Sequence, residues 1–164
     1  MNRDEILLCT GLPPERAAEM LAQTLQATLA VYESVPVVYR RVVGEWHDRA
    51  TVGGKVCKNY LRDETAAPHE QSIYDSGYDT IYEVWLSSAV PGDVGESLQA
   101  EEARRIFTEI TERMPFPTVH TDGSALILSA WDPKLGRTDF PPGTGYDEED
   151  RQHWEPYAHP GAPK

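Results

Sequence analysis

Apolar residues are spaced along the chain so that two long amphipathic segments alternate with short β-branched runs. Ile6-Leu7-Leu8-Cys9 is an unbroken apolar run closed by Thr10-Gly11, the pattern of a buried strand. Beyond it Ala18, Leu21, Leu25, Leu29 and Tyr32 recur at three- and four-residue steps. That spacing predicts one helical stripe of about five turns. Pro13 and Pro14 open it, because proline's fixed φ and missing N–H suit a first turn. Residues 35–43 and 51–61, rich in Val and Tyr, predict two strands joined by a turn over 44–49. In the second of these, Val52, Val56 and Tyr60 face one way, Lys55, Cys57 and Asn59 the other, and Gly53-Gly54 marks a bulge or a close backbone approach.

Residues 62–77 lack periodicity and predict a long loop, and 80–88 a third strand. A second helix follows, with Ser97 as N-cap, a stripe of Ala103, Ile106, Phe107, Ile110 and Met114, and Pro115 and Pro117 as its stop. Residues 119–131 predict a hairpin turning at Asp122-Gly123. After Trp131, proline and glycine punctuate a segment without period. The chain therefore divides into a domain over 1–131 and an irregular acidic, aromatic tail over 132–164, pinned by Phe140, Tyr146, Trp154 and Tyr157. The element order predicts an α+β fold: a mainly antiparallel sheet with two helices packed on one face, nearest to an elaborated ferredoxin-like core.

Composition sharpens this. At 164 residues the chain fits one domain, and a net charge of -12 makes its surface repel nucleic-acid phosphate and suit a basic protein partner. Two cysteines, Cys9 and Cys57, are too few for a disulfide scaffold and predict reduced thiols. Met1-Asn2-Arg3-Asp4-Glu5 carries no basic region leading into a long apolar run, and nothing approaches the roughly 20 apolar residues of a membrane span, so a cytoplasmic protein is expected. Arginine over lysine, with abundant Ala, Gly and Pro, fits a bacterial genome of high GC content.

Candidate chemistry is sparse. The histidines lack the close-spaced pairing of a zinc site, and joining Cys9, His47, Cys57 and His69 would need tertiary coincidence. A Cys57/His47 nucleophile pair conflicts with a mid-strand thiol. Asp147-Glu148-Glu149-Asp150 lacks the spacing of a calcium loop, and Gly143-Thr144-Gly145 is no phosphate loop. The sequence therefore assigns no catalytic residue, cofactor or metal.

Charge and aromatic placement say more. Arg40, Arg41, Lys55 and Lys58 concentrate positive charge in the strands, while Asp63, Glu64, Glu70, Asp75, Asp79 and Glu83 follow with no basic residue among them. Tyr74, Tyr78 and Tyr82 recur every four residues toward Trp85. Large aromatics dominate interface energetics, so Tyr74, Asp75, Tyr78, Asp79, Tyr82 and Trp85 form the expected binding strip for a basic partner. A protein that neutralises a basic toxin or enzyme, immunity-type, is the concrete form of that expectation. The alternatives are a small enzyme or ligand-binding domain holding an anion on Arg40, Arg41, Lys55 and Lys58, and an oligomeric assembly protein joined through its sheet edge.

Overall fold

Eight antiparallel strands join in one sheet, ordered β2-β3-β4-β5-β1-β6-β7-β8. The computed structural model describes residues 3–87, 89–124 and 126–161. Its strands are β1 (Asp4–Leu8), β2 (Thr28–Tyr32), β3 (Val35–Arg41), β4 (Thr51–Lys58), β5 (Thr80–Leu86), β6 (Thr118–Thr121), β7 (Ile127–Asp132) and β8 (Gly136–Asp139). The helices are α1 (Pro14–Leu25), α2 (Gly92–Arg113) and the single turn α3 (Arg151–Trp154). The four central strands run β4-β5-β1-β6, with α1 leaving β1 and α2 joining β5 to β6, which is the ferredoxin-like order. The β2–β3 hairpin extends one edge and β7–β8 the other. The fold is α+β, as the pattern predicts.

The two faces are covered by different means. On the first, α1 buries Ala17, Ala18, Leu21 and Leu25 and α2 buries Ala103, Ile106, Phe107 and Ile110 against Ile6, Leu8, Val38, Val52, Val56, Tyr82 and Val84. Arg40 reaches from β3 across this layer, donating to the Leu25 carbonyl at 3.0 Å and pairing with Glu109, so it holds the end of α1 to α2. On the second face no helix of α1's length is present among the described residues. Leu7, Ile81, Val119 and Ala130 are instead covered by Ile73, Tyr74 and Tyr78 from the loop before β5 and by Phe140, Trp154 and Tyr157 from the C-terminal segment. Hydrogen bonds fix this cover, since a loop laid over a core must satisfy its own backbone. The Asn59 amide donates to the carbonyls of Tyr74 and Tyr78, both at 2.8 Å. The Tyr78 hydroxyl donates to the Tyr157 carbonyl at 2.7 Å, and Arg151 donates to the Gln71 carbonyl at 2.6 Å.

Several elements depart from the sequence pattern, each for a local reason. α1 ends at Leu25 because Gln26 turns left-handed (φ 51°) and its N–H bonds back into the last turn. Leu29 and Tyr32 therefore lie on β2, not on the helical stripe. β2 meets β3 through Glu33-Ser34, both at positive φ (50° and 68°), the twist-matched hairpin turn without its usual Asn or Gly. α2 starts at Gly92, ahead of the expected cap at Ser97, with the Gly95 N–H bonded to the Pro91 carbonyl. Gly53 and Gly54 keep register with both neighbours, so they mark a close approach: a Cβ at Gly53 (φ +140°) would sit 2.1 Å from the Val38 carbonyl oxygen. The expected strand end at Ser88 lies outside the described residues. The segment over 132–164, read from sequence as an irregular tail, supplies β8 and three buried rings. Among the described residues no helix is long and apolar enough to cross a membrane.

Trp154 is the largest fully buried side chain on the second face, and its indole N–H has no hydrogen-bond partner among the described residues. Trp154→Ala is expected to destabilise the protein by about 3–5 kcal/mol in urea unfolding. Trp154→Phe, which loses volume but no hydrogen bond, is expected to cost markedly less. Equal midpoints for wild type and Trp154→Ala would show that the C-terminal segment does not belong to the core.

Candidate functional site: an acidic cleft beside an open aromatic face

Glu5 on β1 and Glu83 on β5 stand directly opposite one another, and both are almost wholly buried, at 2% and 4% exposure. Two adjacent carboxylates out of water need partners, and Arg3 supplies the cation. Its Nε lies 3.2 Å from Glu5 Oε1 and 3.5 Å from Glu83 Oε1. Hydroxyls complete the set: Tyr60 donates to Glu83 at 2.9 Å, and Tyr74 donates to Glu5 at 3.3 Å. Arg3 also donates to the Tyr60 hydroxyl and lies over the rings of Tyr60 and Trp85, at 6.0 and 5.7 Å. Gly123 is required here, because a Cβ at its φ of +77° would fall 1.8 Å from the Arg3 carbonyl oxygen.

This network floors a cleft of about 420 Å³ walled by Glu5, Asp63, Glu70, Asp75, Tyr74 and Tyr146, with Arg3 the one cation among the described residues that line it. Hydrogen bonds from the Thr65 side chain and backbone hold the Asp63 carboxyl below its ordinary range, so it stays ionised. The cleft therefore presents an excess of negative charge to a cationic group, such as a lysine or arginine side chain.

Beyond Arg3 the cover of the second face stops, and β2, β3 and the adjoining ends of β4 and β5 are left open. Tyr32, Val37, Tyr39 and Trp85 line a shallow groove of about 400 Å³ there. Trp85 is 42% exposed and Tyr32 64%. Trp85 lies against bare backbone, its Cδ1 2.7 Å from where a Cβ of Gly54 would sit, so the two glycines make the seat for the indole.

The expected binding strip does not form a continuous exposed surface. Tyr78 and Tyr82 are fully buried, on opposite faces of the sheet, because Tyr82 alternates with Ile81 in β5 while Tyr78 precedes the strand. Tyr82 donates to the Val38 carbonyl within the helical core. Tyr74 is buried beneath the cleft. Asp79 accepts from Thr10 and Gly11 and caps the loop after β1, and Asp75 accepts from the backbone N–H groups of Ser72 and Asp63. Trp85 alone of the six is exposed, while Asp75 and Tyr74 border the cleft.

The basic set does not converge either. Arg40 is spent within the helical layer on Glu109 and Leu25. Arg41 donates to the His47 carbonyl at the turn, and Lys55 and Lys58 are exposed at separate places on β4. Cys9 and Cys57 are half-buried free thiols whose pKa values are raised, by burial first. His47 lies in the turn before β4 and Cys57 near that strand's far end, so they form no nucleophile pair. Among the described residues no three of His, Cys, Asp and Glu gather as metal ligands.

The residues that sequence reasoning missed are Arg3, Glu5, Tyr60 and Glu83. The signal for them was two carboxylates inside runs otherwise reading as buried strand. No family model, no curated protein and no solved structure matches the chain.

Loss of hydration at its hydroxyl, then the hydrogen bond to Glu83, pushes the Tyr60 phenol up from 10.0 to about 12. Its neutral form is thus favoured by folding. This contribution to stability is complete below pH 10 and is lost as pH rises through about 12. A phenolate absorbance titration of wild type minus Tyr60→Phe should show the missing transition near pH 12. A missing transition at pH 10 would show that Tyr60 does not engage Glu83 in solution.

Proposed function

We propose that this chain is a protein-binding domain that receives a basic partner on the open half of its second sheet face and in the adjoining acidic cleft. The observation that carries this reading is their continuity. Arg3 lies over Trp85 while lining the cleft of Glu5, Asp63, Glu70 and Asp75. Exposed aromatics supply contact area with few rotatable bonds, and Leu61 and Tyr60 add apolar surface between the two parts. The surrounding carboxylates steer a positively charged partner toward that face. The most concrete member of this class is an immunity-type protein, which occludes a basic toxin or enzyme.

The test is capture of the partner from source cells at low and moderate salt, followed by kinetics with variants. Replacing Asp63 and Glu70 with lysine is expected to slow association and flatten its salt dependence, because exposed charges act on encounter. Trp85→Ala is expected to speed dissociation by about tenfold or more, the loss typical of a buried aromatic anchor. A genuine partner indifferent to all three changes would sink the reading.

One further observation favours a second reading, assembly through the sheet edge. β2 is an edge strand whose sequence, Thr-Leu-Ala-Val-Tyr, carries no charge or proline to block pairing, and Leu29, Val31 and Tyr32 are all exposed. If two copies join along β2, sedimentation should report a dimer that Val31→Lys converts to monomer. A wild-type monomer at high concentration would dismiss this reading.

A further inference from the structure

On the opposite face of the sheet, away from the partner surface, the helical layer stops short of the β7–β8 edge. A cleft of about 320 Å³ remains between α2 and strands β6 to β8. Its polar groups are Arg104 from α2, His120 from β6, Ser129 from β7, and Arg137 and Asp139 from β8. His120 pairs in register with Ser129, and Ser129 with Asp139, so three strands place these side chains in one row.

We propose that this cleft binds a small organic anion, a carboxylate or phosphate carried on a compact apolar body. The charge balance points there. In a chain with 27 acidic and 15 basic side chains, the cleft has the reverse ratio, two arginines to the single carboxylate of Asp139. That carboxylate is already engaged, accepting from Ser129 Oγ at 2.7 Å and from Arg137 Nε at 3.0 Å. Arg137 is held in place, its Nη1 donating to Thr108 at 2.8 Å and its guanidinium lying over Phe107 at 5.1 Å. Among the described residues its Nη2 has no hydrogen-bond partner. Arg104 makes no hydrogen bond or ion pair among the described residues. A guanidinium pair with spare donors recognises a planar or tetrahedral oxyanion through charge-assisted hydrogen bonds.

His120 borders the same cleft, and its ring is held in one orientation. Its Nε2 lies 2.7 Å from Asp4 Oδ2, and the carboxylate there can only accept, so Nε2 carries the proton. The Gln99 amide donates to the other Asp4 oxygen at 3.1 Å, and the ring stacks on Phe107. With that proton spent on Asp4, His120 forms a fixed wall of the cleft, and recognition of the anion rests on the two arginines. Leu128, Phe140 and Pro142 form an apolar wall beside the charged groups. The volume lies at the small end of ligand pockets, which sets the size of the molecule.

The experiment is calorimetric titration of the full chain at constant ionic strength with benzoate, phenyl phosphate and, as the neutral control, benzamide. Either anion is expected to bind while benzamide does not, and the tighter anion identifies the recognised group. Arg104→Gln removes an exposed side chain and should leave folding intact while weakening the anion by at least about tenfold. A second readout uses wild type alone: benzoate or phenyl phosphate should shift the His120 imidazole resonances in nitrogen-15 spectra. Binding of neither anion, equal binding of benzamide, or unchanged affinity in Arg104→Gln would overturn the proposal.

Discussion

The structure turns on β1, whose five residues are all buried although the strand begins with two carboxylates. β1 lies between β5 and β6, with α2 on one face and the C-terminal cover on the other. Strand alternation sends Asp4 to the helical face and Glu5 to the second face, so each layer must satisfy one buried charge. The helical layer answers with His120 and Gln99, the second face with Arg3, Tyr74 and Thr121. Both clefts border these two constellations. The polar features of the molecule thus follow from one requirement, that the charges at the start of the central strand be paired.

The unequal covering of the sheet decides what remains for function. Two helices cover one face chiefly by their apolar stripes, with Arg40 and Gln99 adding polar ties. The second face is closed by irregular backbone, which can lie on a core only where Asn59, Tyr78 and Arg151 satisfy its carbonyls. Those fixtures do not extend over β2, β3 and the adjoining ends of β4 and β5. That part stays bare, and its residues include Trp85, Tyr39 and Tyr32 instead of the charges that usually blunt an open sheet.

Net charge alone would have given a poor guide to these sites. The most concentrated run of basic residues is consumed or dispersed, as Arg40 shows by bridging Leu25 and Glu109. An excess of positive charge appears instead where Arg104 and Arg137 share the single carboxylate of Asp139, and the sequence places these arginines far apart, so that only the contact of α2 with the β8 edge brings them together. Likewise the carboxylates of Asp75 and Asp79 are spent on turn and loop capping, while Glu5, from a strand, floors the acidic cleft.

What the sequence by itself determined is the class of fold. Period and punctuation placed β1, the body of α1, the stripe of α2 and the strands from Val35 to Trp85, because amphipathic spacing is a local property that burial enforces. The chain could not announce where α1 stops: Leu29 and Tyr32 continue its helical spacing, and only pairing with β3 makes them a strand. β8 was hidden for the same reason, since four residues without apolar alternation become a strand only beside β7. The tyrosines at four-residue spacing read as one strip, yet a turn and a strand separate them, so tertiary structure sent them to different cores. Glu5 and Glu83, Arg3 and Tyr60, and His120 and Asp4 are brought together across 57 to 116 residues of chain. Charge pairing at such separations leaves no spacing in the sequence, because the sheet register sets it after folding.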